Sequence, residues 1–388
     1  MRRSCVLVLV ILILGCSGCR LGAEIDDYSY AMVIGVDMGE RTGEYCFTYR
    51  VILPQAFAGD GKAKEEEKAR IVSVSASSLS ESFKLVSLAM NRRLNATHLV
   101  GVVFSEQVAK EGIYAIVNAM NKSVLFRNSV VLVVAKDSAR EFIEKNQAPF
   151  EVFPSRWTES LRDNQTRSGA YFISDAREFY RQSEEQGGAG VLTCAKMEQE
   201  VNSRDLSAVA VGSAVFVDWR LVGEMTREES FGGVVLREVL RLPIDVVDTQ
   251  DEKRSYSVGV RTFRPMIDIR IEDGRMVGDI LVGATAEMME LSHEVEADES
   301  LYQRLEEELN RQITSAVRSY LVRTQAWGAD VVGLNRYYRR QVTSLTEWEK
   351  LDWQALYRTA DIRVRADVKI KRYERMRSRR QGGDSLVL

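Results

Sequence analysis

Between residues 71 and 135 the chain alternates strand and helix periods, and that alternation admits few architectures other than sheets layered with helices. Residues 71–75 read as a strand. Residues 78–93 follow with Leu79, Phe83, Val86 and Met90 at helical spacing, and Ser78 with Glu81 forms a capping box at the start. Residues 98–104 read as a strand, 105–120 as a helix, and 129–135 as a buried strand with Asp137 capping the next helix. Upstream, 28–37 and 45–53 are β-rich runs on either side of a Gly-containing turn, the pattern of a hairpin. Residues 55–68 are polar and read as a loop, and a helix is expected near 175–182.

The polar, glycine-rich stretch 184–190 reads as a domain boundary. Beyond it, 191–201 and 207–217 are strand-like, 220–223 returns across Asp218-Trp219, and 227–237 is helical. Residues 255–291 form a long β region interrupted at Asp273-Gly274, a pair suited to the positive φ angles of a type I′ turn. The longest helix spans about 298–323, with Leu301, Leu305, Leu309, Ile313, Val317 and Leu321 as an apolar stripe for a sheet. A last strand, 362–373, alternates apolar and basic residues, and no fixed-period repeat is visible. The expected fold is mixed α+β and multi-domain. Its expected divisions are a leader (1–18), an N-terminal domain (19–190) with room for two subdomains, a C-terminal domain (191–375) and a basic tail (376–388).

The leader carries the main functional signal. Arg2 and Arg3 precede an apolar run of ten residues, 5–14. Ten residues cannot cross a hydrocarbon core of about 30 Å as a helix, but they suit an export signal. Gly15-Cys16-Ser17-Gly18-Cys19 follows, and both cysteines come after a small residue, as in a bacterial lipobox. Cys19 is the expected lipid attachment site, since smaller residues precede its cut. Two acyl chains would tether the body stably where one is marginal. A plain signal peptide with incidental cysteines, and acylation at Cys16, are the alternatives.

Composition removes other classes. Lys and Arg number 53 against 56 Asp and Glu, which argues against a nucleic-acid partner. Only His98 and His293 are present; His98 opens an apolar strand, and His293 lies among Glu290, Glu294 and Glu296, read as a solvated acidic turn rather than a metal site. Phosphate-loop, dinucleotide, nucleophile-elbow and zinc signatures are absent, so no catalytic, cofactor or metal residue is assigned. Cys46 and Cys194 read as free buried thiols, with a disulfide between them as the alternative. Residues 369–380 hold seven Lys or Arg against Glu374, read as a solvated tail, with anionic headgroups as the alternative contact.

Several segments in order resemble the Ger(x)C family, the lipoprotein C subunits of spore germinant receptors. Cys19 is followed by Glu24-Ile25-Asp26-Asp27 and a strand ending Gly35-Val36-Asp37, an offset that favours Cys19 over Cys16. Arg20-Leu21-Gly22 stands where the family usually has Trp-Asp-Arg. The stretch from Arg92-Arg93-Leu94 through His98-Leu99 to Gly112-Ile113, the hairpin Gly212–Gly223, and Trp327-Gly328-Ala329-Asp330 followed by Trp348 and Trp353 complete the resemblance. It implies a non-enzymatic, palmitate-type lipoprotein without cofactor. Its implied partners are a multi-pass A subunit and a transporter-like B subunit, at the outer, cortex-facing side of the inner spore membrane. Trp327–Asp330 reads as a structural turn. A membrane-tethered solute-binding lipoprotein is the competing reading, and a secreted cell-wall enzyme is a third.

Overall fold

The structure is a computed structural model and describes residues 28–52, 69–90, 92–146, 156–199, 206–237, 242–248, 251–291 and 299–371. The chain divides into two compact units. The first comprises residues up to Arg162 with Ile173–Glu185 and Ala189–Glu224, and the second comprises the rest.

The first unit is built on one mixed sheet. β1 (Tyr28–Met38) and β2 (Tyr45–Ile52) form the expected antiparallel hairpin, and β3 (Ala69–Ala76) pairs with β2. α1 (Leu79–Met90) runs back to β4 (Arg93–Asn95) and β5 (Gly101–Ser105), both parallel to β1. α2 (Glu106–Glu111) and α3 (Tyr114–Lys122) lead to β6 (Val131–Ala135). α4 (Ala139–Lys145), α5 (Arg156–Ser168, in this unit up to Arg162) and α6 (Ala176–Glu184) precede β7 (Gly190–Gln199), β8 (Leu206–Val217) and β9 (Arg220–Thr226, in this unit up to Glu224). Strand order is β3-β2-β1-β5-β6-β7-β8-β9, with β4 beside β1. The centre, β1-β5-β6-β7, is parallel. Every residue of β5 and β6 is buried, as a parallel strand covered on both faces requires.

Two local expectations differ from the structure. The helix expected over 105–120 breaks at Gly112, where φ is +121° and the next N–H, of Ile113, reaches the Trp219 carbonyl at 3.1 Å. Ser138 rather than Asp137 caps α4, its Oγ accepting the Glu141 N–H at 3.3 Å. The stretch 184–190 leads from α6 into β7, which pairs with β6 and carries β8 and β9 with it. The Asp218-Trp219 turn between β8 and β9 has positive φ at both residues, +49° and +68°, as a tight hairpin needs.

In the second unit α7 (Arg227–Arg237) precedes a four-stranded sheet. Its strands are β10 (Leu242–Asp248), β11 (Asp251–Glu272), β12 (Arg275–Leu291) and β13 (Asp361–Lys371), in that order across the sheet. Asp273 and Gly274 turn β11 into β12 at φ +49° and +75°, as their sequence predicts. α8 (Glu299–Trp327) buries the whole predicted stripe from Leu301 to Leu321. The short helices α9 (Leu334–Arg339), α10 (Leu345–Glu349) and α11 (Trp353–Arg358) return the chain to β13, which lies parallel to β12. β13 is an edge strand, and two outward N–H groups are taken by α8. Asn310 Oδ1 accepts from Val368 at 2.8 Å and Glu306 Oε1 from Ile370 at 2.9 Å. That contact blunts an edge otherwise open to another chain.

Candidate functional site

Two polar constructions stand out, one in each unit. In the first, a crevice of about 840 Å³ opens at the carboxyl ends of β1, β5 and β6. From β1 the chain turns to β2 on one side, and from β5 it turns through α2 toward β6 on the other. Diverging connections at strand ends leave a depression that open α/β sheets use for ligands. Asp37 at the end of β1 accepts the Ala139 N–H at 2.9 Å and the Arg140 N–H at 2.8 Å, so its carboxylate is spent on the start of α4. Lys136 bonds to Glu224 and, at 3.4 Å, to Glu106, which also holds Lys110. Burial is the largest single influence and opposes the Lys136 charge, but the Glu224 hydrogen bond together with the charges of Glu224 and Glu106 outweighs it and holds the ammonium above the ordinary lysine value. The Lys110 hydrogen bond holds the Glu106 carboxyl below its ordinary value, against a smaller effect of burial.

Cys46 lines the crevice and Cys194 lies buried on β7, and both are free thiols. Burial pushes the Cys46 thiol up, and pushes Cys194 up to about 12, so neither is an activated thiolate. The crevice offers paired charges and serine hydroxyls, a lining for a small polar molecule held by hydrogen bonds. Among the described residues no group of three His, Cys, Asp or Glu is placed to hold a metal ion. His98 lies in an exposed turn ahead of β5, edge-on to Tyr30 at 5.0 Å and 3.1 Å from the Thr97 hydroxyl. Cys19, His293 and most of the basic tail lie outside the described residues.

In the second unit, the sequence motif Trp327-Gly328-Ala329-Asp330 ends α8 in a reversal closed around Asp330. Its Oδ1 accepts the N–H groups of Gly333 (2.9 Å) and Leu334 (2.8 Å), and its Oδ2 accepts Asn335 N–H (2.7 Å) and the Trp353 indole N–H (3.0 Å). Burial raises the Asp330 carboxyl above its ordinary value, and the four donors oppose that rise. The ring of Tyr338 stacks on Trp353 with centroids 5.9 Å apart, and Trp348 lies 5.8 Å from Trp353. This is the structural turn expected from the sequence, with its carboxylate turned inward.

The family described as "Spore germination protein N-terminal domain" matches residues 22–197, and "Spore germination B3/ GerAC like, C-terminal" matches residues 211–374. The chain belongs to the Ger(x)C family of spore germination proteins. The putative spore germination protein YfkR of Bacillus subtilis (strain 168) is 22% identical over 369 residues, 93% of this chain and 94% of the relative. Spore germination protein KC of the same organism is 28% identical over 163 residues, 40% of this chain and 39% of the relative. The crystal structure of the GerBC protein superposes with a TM-score of 0.51 at 17% identity, covering 88% of this chain and 98% of that one, which shows a shared fold.

In this Ger(x)C chain the resemblance blocks occupy defined places. Val33–Asp37 is the carboxyl half of β1, ending at the crevice, and Gly212–Gly223 is the β8–β9 hairpin. Sequence reasoning assigned no role to Lys136, Glu106 or Glu224, since 88 positions separate Lys136 from Glu224 and no motif joins them.

Proposed function

We propose that the chain is the lipid-anchored C subunit of a nutrient germinant receptor, non-enzymatic and held at the outer face of the inner spore membrane through Cys19. In this reading residues 1–18 are removed as a leader. The body holds or couples a multi-pass A subunit and a transporter-like B subunit, and nutrient-triggered germination requires it. The observation that carries the reading is the pair of germination-family matches covering residues 22–197 and 211–374 directly behind the Gly18-Cys19 lipobox. Among the described residues no helix is long and apolar enough to cross a membrane, consistent with attachment through the N-terminal cysteine.

Two measurements test it. Cleavage before Cys19 leaves Cys19, Cys46 and Cys194, and acylation consumes the first. The unfolded mature chain therefore titrates two thiols and carries a diacylglyceryl mass; three thiols without added mass refute the anchor. Spores lacking the gene should lose dipicolinic acid release to one nutrient class, while A- and B-type proteins co-purify with the intact chain. Unchanged release in a strain stripped of other receptors refutes the receptor role.

The crevice supports a second reading, a tethered solute-binding lipoprotein. A ligand bound only by the folded chain stabilises it as RT ln(1 + [L]/Kd), so a nutrient panel that raises its melting temperature would favour this reading.

A further inference from the structure

We infer that the end of the first unit formed by the last turn of α1 and the α3–β6 loop is a bilayer-contacting surface for anionic lipid. The inference deepens the tethered reading above and takes its source of lipid from it.

Topology sets this end. β1, β5 and β6 are parallel, with Val33, Gly101 and Val131 side by side, so Tyr28 and residues 123–130 project past the same edge of the sheet. α1 arrives there as well, since β4 pairs Arg93 with Tyr28. Cys19 precedes Tyr28 by nine positions, and nine residues span at most about 30 Å. An acyl tether at Cys19 therefore keeps this end of the sheet near the bilayer.

The surface has the chemistry of a membrane interface. Among the described residues of this unit, the three most exposed large aliphatic side chains are Val124 (97%), Leu88 (67%) and Leu125 (53%). Leu88 lies in the last turn of α1, and Val124 and Leu125 in the loop after α3. Scattered exposed aliphatics are ordinary on a protein surface. These three share the tether's end, and the loop is built to present two of them. Ser123 Oγ accepts the Leu125 N–H at 3.2 Å, and Phe126 turns inward against Phe83, ring centroids 5.4 Å apart, which leaves Val124 and Leu125 outward.

Within the two segments that form this surface the charge is one-sided, while the tether from Cys19 to Tyr28 carries Arg20 against Glu24, Asp26 and Asp27. Residues 84–100 and 115–131 contain Lys84, Arg92, Arg93, Lys122 and Arg127 and no Asp or Glu. Arg93, Lys122 and Arg127 are exposed. The neighbouring carboxylate of Asp175 is occupied, capping α6 through the Glu178 N–H at 2.8 Å and facing Arg162 at 3.9 Å. Aliphatic side chains flanked by Lys and Arg, with no carboxylate in either segment, suit the boundary between acyl chains and anionic headgroups. With this end against the bilayer, the crevice at the opposite ends of the same strands opens away from it.

The test uses the mature chain from residue 19 with Cys19→Ser, which carries no acyl chains, and vesicles of phosphatidylglycerol with phosphatidylcholine or of phosphatidylcholine alone. The parent should prefer the anionic vesicles, and V124E/L125E should weaken that binding about tenfold or more. Equal binding by parent and variant overturns the proposal. A second arm uses the full, acylated chain in the same vesicles, with Cys46→Ser and a fluorophore on Val124→Cys or, as the control, Glu40→Cys. Lipid-borne quenchers should reach position 124 and not position 40. Equal quenching at both overturns the proposal. Loss of partner co-purification by V124E/L125E with vesicle binding unchanged also overturns it, assigning the surface to a protein instead. An unmodified Cys19 by intact mass would defeat the tether and leave the vesicle arm able to decide the surface.

Discussion

The Trp353 indole N–H donates to the buried Asp330 carboxylate at 3.0 Å, tying the start of α11 to the reversal that follows α8. Three backbone N–H groups share the same carboxylate, so one side chain organises the turn, the start of α9 and the aromatic cluster.

D330A leaves those three backbone donors and the indole buried without an acceptor. A buried unsatisfied group costs about 1–3 kcal/mol, so a loss of roughly 3 kcal/mol or more is expected. W353F removes one bond and should cost about half as much or less. Urea unfolding followed by fluorescence of the second unit's tryptophans checks both, and D330A equal to wild type would contradict this role.

Packing of α7 on α8 depends on Gly232. A Cβ there would lie 2.2 Å from the Ala316 carbonyl oxygen, a backbone atom that cannot swing aside. G232A should destabilise the second unit by about 1–3 kcal/mol despite alanine's better helix propensity. Thermal melting decides the sign; a rise would mean the helices separate freely.

The edge of β13 is guarded by polar side chains of α8. E306L/N310L strips the acceptors from Ile370 and Val368 N–H and reopens that edge. The expected outcome is a loss of about 2 kcal/mol or more together with concentration-dependent association. Light scattering of the variant that stays monomeric across concentration would count against it.

Lys136 links Glu106 and Glu224 beside the crevice. K136M removes the cation that Glu106 and Glu224 share, leaving Glu106 only Lys110, and at these partly exposed sites should cost about 1 kcal/mol near neutral pH. Two opposite pH limits follow. Glu106 has a pKa lowered first by Lys110 and in lesser part by Lys136, so the Lys136 share of its contribution is present above the ordinary carboxylate value of 4.5 and lost as pH falls through its folded value. Lys136 has a raised pKa, so its contribution is present below 10.5 and lost as pH rises through its folded value. Stability curves of wild type and K136M should therefore converge at both extremes, and a constant difference from acid to alkali would show that the pairing is not what stabilises.

Sequence by itself determined the local elements. The α8 stripe from Leu301 to Leu321, the Ser78 cap on α1, whose Oγ accepts the Glu81 N–H at 3.2 Å, and the Asp273-Gly274 turn all rest on interactions within a few residues. Helical period, capping and positive φ are written into short windows, so they can be read without the rest of the chain. Tertiary structure alone decided which strands share a sheet. The polar stretch before β7 looks like a linker, yet β7 finds its partner in β6, more than fifty residues earlier in the chain. Glu306 and Lys136 likewise appear as ordinary charged residues until folding brings N–H groups or opposite charges from distant segments to them, and Asp330, whose backbone donors are local, gains the Trp353 indole only in the folded chain. Their roles follow from the desolvation that folding imposes, which turns each unpaired polar group into a cost that only a distant partner can remove.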